Sequence, residues 1–496
     1  MSKYPCVLFF RYDKYNKIDT FLYDNRTKID CEIKIINSAE GLINMFDPNY
    51  NIIVTFGDTE SEYHADVNSV IADRMRRQWL HFKEITNPEE FSRGLNYCYL
   101  EIVTGSRVES RPVFSAFTTC YNSYEKIKRP LNSLMAQTMR DWEWVVLDDS
   151  PDDKHFAYLK QLFNGNSRIR LYKRSQNSGN IGNVKNESIG LCRGKYVLEL
   201  DHDDDIVQSL FQITKDAFEK YPDAGFAYTD FINIYENTGN NYWYGDFIAL
   251  GYGGYYCQKY NDRWAYVYVS PQINNITLSH LVSLPNHARM WRRDTLFNLG
   301  SYSEYLPIND DQEILMRTCM GTKMIKIPIM AYVQYMNAGN NNFSLIRNSE
   351  INRIGPRFLV PQFYAKHGVH ERMKEMGGYD DEKYMYHRER IWLRDSYEPN
   401  YCNEIYQPYY DKQVCVVGFK TFQANLEKLK TMYQNPRIGI FLMDNSGDKE
   451  MLCAFLDANG FPKAMGYTIK DLTQQQMINY YNYIYRRCKE SEVIVE

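Results

Sequence analysis

A regular alternation of strand-like and helix-like segments through residues 113–200 constrains the fold of this chain more than any other feature. Apolar strand patterns and helical patterns follow one another there, in the order 113–117, 127–137, 144–147, 156–163, 169–172, 183–192 and 196–200. Because successive strands separated by helices pair in parallel, this alternation predicts a mostly parallel sheet covered by helices. The sequence therefore belongs to the α/β class.

Shorter α/β patterns flank this central region on both sides. The first ends in a segment that mixes charges with Gly105 and Pro112, and the last follows a charged helical stretch over residues 371–394. A chain of 496 residues, 44% of them hydrophobic, can bury several cores. We therefore predict a small α/β accessory domain over residues 1–108, a central domain over 109–395 and a small α/β domain over 396–496.

Charge and apolar run length exclude two broad classes of protein. Lys and Arg number 58 against 62 Asp and Glu, so the chain lacks the basic excess of a general nucleic-acid binder. The longest apolar runs, 327–333 and 414–419, fall far short of the roughly 18 residues that span a bilayer. We therefore predict neither a nucleic-acid partner nor a transmembrane segment.

Cysteine spacing bears on the cellular compartment. The chain has 11 cysteines, an odd number, and they never approach a C-x-x-C spacing. Such cysteines are typical of reduced thiols in the core of a cytosolic protein. The N-terminus also lacks the continuous apolar stretch of a secretory signal. We therefore predict a cytoplasmic protein.

Polar side chains follow the first two strands of the central region. Thr119 and Tyr121 follow the first strand, and Asp149 follows the second. Because the carboxyl ends of parallel strands line one crevice, these residues could contact a ligand together. A carboxylate there can accept a hydrogen bond from the N–H group of a nucleotide base. The alternative is that residues 148–153 form an Asx-rich turn and a helix cap.

A run of four carboxylates ends the strand at residues 196–200. Such a concentration of negative charge costs stability unless a cation neutralises it. Oxygen ligands two residues apart, at Asp201 and Asp203, favour Mg²⁺ or Mn²⁺, which commonly complete their shells with substrate phosphates. His202 alternates away from them and is predicted to face solvent. Alternatively, Asp204 and Asp205 cap a helix that begins near residue 206.

The order and spacing of these segments carry a family resemblance. Residues 114–317 resemble a family 2 glycosyltransferase with the GT-A fold, through Thr119 with Tyr121-Asn122, residues 134–138 with Trp142-Glu143, Asp148-Asp149-Ser150, Asn177-Ser178-Gly179 with residues 183–194, and the D-x-D of Asp201 to Asp203. The resemblance implies a Rossmann-like, mostly parallel sheet flanked by helices. It also implies transfer of a sugar from a nucleotide donor to a hydroxyl group, with inversion at the anomeric carbon.

The resemblance also implies roles for single residues. Asp149 matches the carboxylate that contacts the base, Asp201 lies near the ribose and the metal, and Asp203 coordinates the metal on the diphosphate. Lys185 stands where the family often carries Arg, and could either contact the diphosphate or pair with an acid. Arg347 follows a Gly- and Asn-rich stretch, residues 337–344, and could bind phosphate if that loop closes over the donor; a plain surface turn is the alternative.

An acidic pair, Asp310-Asp311, opens a predicted helix over residues 312–319. Inverting displacement needs one carboxylate to take the proton of the attacking hydroxyl. In the resemblance this pair carries that catalytic base, and Asp311 matches its second member. Asp310 stands where Glu is more usual, which leaves the choice between the two neighbours open. The alternative is that both residues only cap the helix.

The sequence thus predicts a metal-dependent inverting glycosyltransferase with a nucleotide-sugar donor, favouring UDP-sugars, and a hydroxyl acceptor on a glycan, protein or small molecule. One alternative is a nucleotidyltransferase acting on sugar phosphates, but residues 118–123 lack the Gly-rich, basic phosphate loop usual in that class. A second is a catalytically inactive, sugar-binding scaffold. The presence together of Asp149, Asp201, Asp203 and Asp311 argues against it.

Overall fold

The computed structural model describes most of the central and C-terminal parts of the chain and pieces of the remainder. The described residues are 4–10, 17–25, 31–36, 38, 40–41, 51–56, 79–82, 88–89, 91–92, 94–95, 112–174, 177–243, 253–271, 273–274, 277–278, 284–336, 347–354, 368–375, 403–485, 488 and 490–495. The chain divides into two compact units. Unit 1 spans residues 1–203, 290–321 and 343–355, and unit 2 spans residues 204–289, 322–342 and 356–496.

In chain order, the described strands are β1 (Tyr4–Phe10), β2 (Cys31–Ile36), β3 (Ile52–Phe56), β4 (Trp79–Phe82), β5 (Phe114–Cys120), β6 (Trp142–Asp148), β7 (Ile169–Lys173), β8 (Tyr196–Glu199), β9 (Asp205–Ile206), β10 (Ala224–Tyr235), β11 (Asn241–Tyr242), β12 (Gly254–Tyr260), β13 (Arg263–Val269), β14 (Arg289–Arg292), β15 (Lys323–Met336), β16 (Asn403–Ile405), β17 (Lys412–Val417), β18 (Ile438–Asp444), β19 (Met465–Thr468) and β20 (Glu490–Ile494).

The described helices are α1 (Lys17–Asn25), α2 (Lys128–Met135), α3 (Asp153–Leu162), α4 (Ile181–Gly190), α5 (Leu210–Lys220), α6 (Arg293–Asn298), α7 (Asp310–Gly321), α8 (Asn348–Ile354), α9 (Val369–Glu375), α10 (Phe419–Ala424), α11 (Leu426–Tyr433), α12 (Lys449–Ala458) and α13 (Gln474–Tyr485). None of these helices has the length and apolar composition that crossing a bilayer requires.

Unit 1 contains two groups of parallel strands. The N-terminal sheet has the strand order β2-β1-β3-β4. The central sheet contains the order β14-β8-β5-β6-β7, in which β8 pairs in parallel with β5, β5 with β6, and β6 with β7. Every residue of β6 is buried, as expected for a strand covered on both faces. The predicted α/β class, with a mostly parallel sheet and helices between the strands, is confirmed.

The strand order of the central sheet creates a crevice at its carboxyl edge. The chain runs outward from β5 through β6 to β7 and then returns to place β8 on the other side of β5. In open parallel sheets, ligands bind at the carboxyl ends of the strands where the order reverses. That point lies between β5 and β8, which are followed by Tyr121 and by Asp201 to Asp203.

Asx residues in the loops start several helices. The side chain of Asp152 accepts a hydrogen bond from the backbone N–H of Lys154 at the start of α3. Asn180 caps α4 in the same way through the N–H of Asn183. These side chains satisfy backbone donors that a helix end leaves unpaired. The Asx-rich turn predicted at residues 148–153 therefore contains a true helix cap.

Unit 2 combines an antiparallel hairpin with parallel strands. β12 and β13 pair antiparallel, and β10 and β15 pair in parallel. Near the C-terminus the parallel order β20-β17-β18-β19 forms a further α/β region, joined to the hairpin through antiparallel pairing of β19 with β12. The predicted domain boundaries, after residues 108 and 395, lie outside the described residues and stay a prediction.

Candidate active site

Asp148, the last residue of β6, organises the turn that follows β5. Its carboxylate accepts hydrogen bonds from the hydroxyl of Ser150 and from Nδ1 of His155, at 2.6 and 2.8 Å. The opposite ring nitrogen of His155 accepts from the backbone N–H groups of Ser123 and Tyr124, so the ring proton lies on Nδ1. Burial raises the pKa of Asp148, but these hydrogen bonds hold it below its usual value. Through His155, Asp148 therefore holds the backbone of Ser123 and Tyr124, next to the predicted donor-binding residue Tyr121.

Asp149 turns towards the loop before α4. Its carboxylate accepts hydrogen bonds from the backbone N–H of Ser178 and the side-chain amide of Asn177, at 2.8 and 2.9 Å. Arg174 Nε lies 3.3 Å from the same carboxylate. Burial nevertheless raises the pKa of Asp149 to about 6. Each carboxylate oxygen can accept a second hydrogen bond, so these contacts are compatible with binding a base.

The acidic segment begins directly beyond β8. The backbone N–H of Leu200 still donates to the carbonyl of Phe117, so the pairing with β5 continues as far as Leu200. Asp201 is exposed, whereas Asp203 is only 8% exposed. Among the described residues, none makes a hydrogen bond or an ion pair with the Asp203 carboxylate.

The remaining acidic residues of this run have other partners within unit 2. Asp204 accepts hydrogen bonds from the hydroxyl of Tyr332 and the backbone N–H of Tyr335. Asp205 belongs to β9 and accepts from the hydroxyl of Tyr335. The expectation that these two residues cap a helix starting near residue 206 is wrong. That helix, α5, begins at Leu210 after Ser209.

The donor set at Asp201 and Asp203 fits a divalent cation. Asp203 is 8% exposed and its carboxylate has no partner among the described side chains, which leaves its oxygens available to a cation. Nδ1 of His202 is likewise buried, with no described partner. No group of three or more Asp, Glu, His or Cys side chains within the described ranges is arranged to hold a metal. Further ligands would have to come from water or substrate, as is usual for Mg²⁺.

The two acidic residues at the start of α7 differ in environment. Asp310 is buried, burial raises its pKa, and Oδ2 lies 2.7 Å from Nζ of Lys185. Asp311 is only half-buried, and one of its oxygens accepts from the backbone N–H of Gln312. Of the pair, Asp311 is therefore the more accessible to solvent.

Arg347 contacts the segment that precedes α7. It pairs with Glu350 in the first turn of α8, and its guanidinium donates to the carbonyl of Pro307 at 3.2 Å. The Gly- and Asn-rich stretch over residues 337–344 lies outside the described residues. The phosphate contact of Arg347 stays a prediction.

The segment that carries the central strands matches a known protein family. Residues 115–295 match the family model described as Glycosyl transferase family 2. Residues 115–295 therefore form a domain of the glycosyl transferase family 2 type. The match runs from β5 into α6 and contains Asp149, Asp201 and Asp203, while Asp310 and Asp311 follow it along the chain.

Curated relatives agree with the family over short stretches. The chain is 25% identical to chondroitin synthase of Escherichia coli over 215 residues, which are 42% of this chain and 28% of that protein. It is 35% identical to poly(ribitol-phosphate) beta-glucosyltransferase of Bacillus spizizenii over 86 residues, which are 17% of this chain and 14% of that protein. The matched stretch thus spans less than a third of either relative.

The chain also resembles a solved structure over part of its length. S. aureus TarS 1-349 in complex with UDP-GlcNAc is 16% identical, with 57% of this chain and 76% of that chain covered and a TM-score of 0.37.

Unit 1 brings some of the predicted residues together. Lys185 contacts Asp310 directly, and Asp149 is tied to the predicted Asn177-Ser178 segment. At the end of β5, Thr119 is half-buried and Tyr121 is 49% exposed. The donor contacts of Thr119, Tyr121 and Lys185 stay predictions.

Sequence reasoning missed two buried carboxylates of unit 1. Glu199 lies within 2.7 Å of Lys185 and accepts a hydrogen bond from the hydroxyl of Tyr302. Glu304 accepts from the side-chain amides of Asn183 and Asn186 on α4. A signal for Glu199 existed in the sequence. It interrupts an apolar strand two residues before Asp201 and so faces the same side of an extended chain.

Glu304 should make the stability of unit 1 depend on pH. Burial raises its pKa to about 7 from an ordinary value of 4.5, although Asn186 and Asn183 donate to it. Between those pH values the folded state holds a proton that the unfolded chain has lost, so stability falls as pH rises. We expect the unfolding free energy to fall by up to about 3 kcal/mol across this window and to change no further through Glu304 above it.

Urea unfolding of the parent and Glu304→Gln at several pH values measures this contribution. Gln does not titrate, so the variant should lose stability less steeply with rising pH. Other groups, including Asp149, are common to both proteins and cancel in the comparison. Equal slopes for the two proteins would rule out a titrating Glu304.

Proposed function

We propose that this chain is a metal-dependent, inverting glycosyltransferase that moves a sugar from a UDP-sugar to a hydroxyl group on a glycan, protein or small molecule. The observation that carries the proposal is the grouping of acidic residues at one end of the central sheet. Asp149 follows β6, Asp203 follows β8, and Asp311 is the second residue of α7, all within unit 1. The family match over residues 115–295 supports the same reaction class.

Donor binding is assigned to the carboxyl ends of the first two strands of the central sheet. Asp149 would accept the N3–H of uracil, while Thr119 and Tyr121 line the crevice beside β5. Arg347 would bind phosphate. Asp201 and Asp203 would hold Mn²⁺ or Mg²⁺, which, when bound, neutralises the charge that develops on the departing diphosphate.

Asp311 is assigned the role of general base. As the acceptor hydroxyl attacks the anomeric carbon, its proton passes to the Asp311 carboxylate. The new carbon–oxygen bond forms on the face opposite the bond to phosphate, which breaks with its electron pair on the diphosphate oxygen. One such displacement inverts the configuration of the sugar.

The proposal also places the chain in the cytoplasm. Seven cysteines in the described part of the chain are free thiols, and six of these are buried. Reduced, buried thiols are typical of cytosolic proteins. This location rests on the cysteines alone.

Donor affinity tests the proposed role of Asp149. Calorimetric titration at about pH 8, where a carboxyl with a pKa of about 6 is ionised, should give tighter binding for UDP than for GDP. Asp149→Asn should weaken UDP binding roughly 10-fold, because a hydrogen bond to a charged acceptor is replaced by one to a neutral acceptor.

Asp152→Asn is the matched control, since Asp152 caps α3 from the same loop and Asn is an equally good cap. This control should bind UDP as the parent does. Tight binding of GDP together with no binding of UDP would remove the UDP assignment.

A further inference from the structure

The ammonium group of Lys185 lies between two buried carboxylates. Its Nζ is 2.7 Å from Glu199 Oε1 and 2.7 Å from Asp310 Oδ2, and the residue is only 9% exposed. The ring of Tyr302 lies 4.7 Å from the same Nζ, and its hydroxyl donates to Glu199 Oε2 at 2.8 Å. Two acids and an aromatic face therefore surround the charge of Lys185.

This cluster joins three elements of the glycosyltransferase domain. Lys185 lies within α4, Glu199 is the last residue of β8, and Asp310 is the first residue of α7. The chain continues from β8 to Asp201 and from Asp310 to Asp311. Lys185 thus connects the strand that precedes the predicted metal ligands with the helix that carries the proposed base.

A contact between Lys185 and the donor diphosphate would have to compete with these two ion pairs. Breaking a buried pair by removing one partner typically costs about 3 to 5 kcal/mol, because a charge stays buried without compensation. The two carboxylates would also repel an approaching diphosphate. The observed contacts therefore favour the alternative in which Lys185 pairs with acids.

We propose that Lys185 is a positioning residue. It holds Asp310, and with it the first turn of α7, so that Asp311 faces the acceptor, and it does not bind the donor diphosphate. The proposal rests on the proposed role of Asp311 as the base. A lysine that positions the base should affect transfer much more than donor affinity.

Three substitutions separate positioning from phosphate binding. Lys185→Met removes the charge and leaves two buried carboxylates, so it can fail to fold. Lys185→Met combined with Glu199→Gln removes one charge of each sign and keeps the net charge of the cluster. Lys185→Arg keeps the cation and can pair with both acids. Lys160→Met, at an exposed site on α3, is the control.

We expect the double variant to bind UDP within about 2-fold of the parent and to lose transfer at saturating donor by roughly 10²-fold, the effect of a misplaced catalytic group. Lys185→Arg should recover most of the rate, and the control should match the parent. A fall in UDP affinity of 10-fold or more with transfer at saturating donor preserved would overturn the proposal. Unchanged affinity and unchanged transfer would also overturn it.

Amide hydrogen exchange gives a readout that does not depend on activity. In the double variant, residues 310–315 should exchange faster than in the parent, while α3 should be unchanged. If the parent transfers no sugar, the proposed function fails, and the exchange of residues 310–315 still decides whether Lys185 holds α7. Unchanged exchange there would reject the positioning role.

Discussion

Asp311→Asn is expected to lose sugar transfer by roughly 10² to 10⁴-fold, the usual contribution of a positioned general base. Donor nucleotide and metal should bind about as well as in the parent, because Asp149 and Asp203 are unchanged. Asn is similar in size to Asp, and its amide oxygen can still accept the hydrogen bond from the backbone N–H of Gln312, so α7 should keep its start. Transfer rate and donor affinity, measured on one preparation, check both parts.

The comparison with Asp310→Asn identifies which neighbour is the base. Asp310 is buried and forms an ion pair with Lys185. Asp311 is half-buried, and one of its carboxylate oxygens accepts a hydrogen bond from the backbone N–H of Gln312. Near-normal transfer by Asp311→Asn together with an inactive Asp310→Asn would identify Asp310 as the base. If neither substitution affected transfer, α7 would have no catalytic role and the two residues would only cap it.

Asp203→Asn is expected to abolish turnover, with a loss of roughly 10³-fold or more, because a metal ion contributes several kcal/mol of charge stabilisation. The parent should require Mn²⁺ or Mg²⁺ and should lose activity in a chelator. The fold should survive, since a neutral amide is easier to bury than a carboxylate that has no partner among the described residues. Turnover by parent and variant, across a range of metal concentrations, provides the measurement.

Asp205→Asn serves as the control for this substitution. Asp205 belongs to the same acidic run, but its carboxylate accepts a hydrogen bond from the hydroxyl of Tyr335. An amide oxygen can accept that bond, so this variant should keep its metal requirement and most of its turnover. Full turnover of the parent in chelator would refute metal dependence.

The class of the central sheet was predictable from local patterns in the sequence. Strand-like runs separated by segments of helical periodicity occur in the sequence at the positions of β5 to β8. Parallel strands present their carboxyl ends at one edge, so the positions of Asp149 and Asp203 at strand ends followed from topology alone. These inferences needed no knowledge of distant contacts.

The contacts that distant segments make were not predictable in this way. Asp204 and Asp205 have the local pattern of a helix cap, but β9 pairs instead with β15, more than 100 residues further along the chain. Likewise, the partners of Lys185 lie on β8 and α7, and no local periodicity relates these positions. In the first case, pairing between distant strands overrode the local pattern of a helix cap. In the second, the contacts of Lys185 had no local pattern that could predict them.

Release of nucleoside diphosphate decides whether this domain transfers sugars. The purified full chain would be incubated with UDP-, GDP- and dTDP-sugars, with Mn²⁺ and a mixture of acceptors, beside Asp203→Asn and Asp311→Asn prepared in the same way. We predict that the parent releases UDP from at least one UDP-sugar, that the release requires the metal, and that both variants lose it. No release from any donor, or equal release by all three proteins, would contradict the assignment of this site.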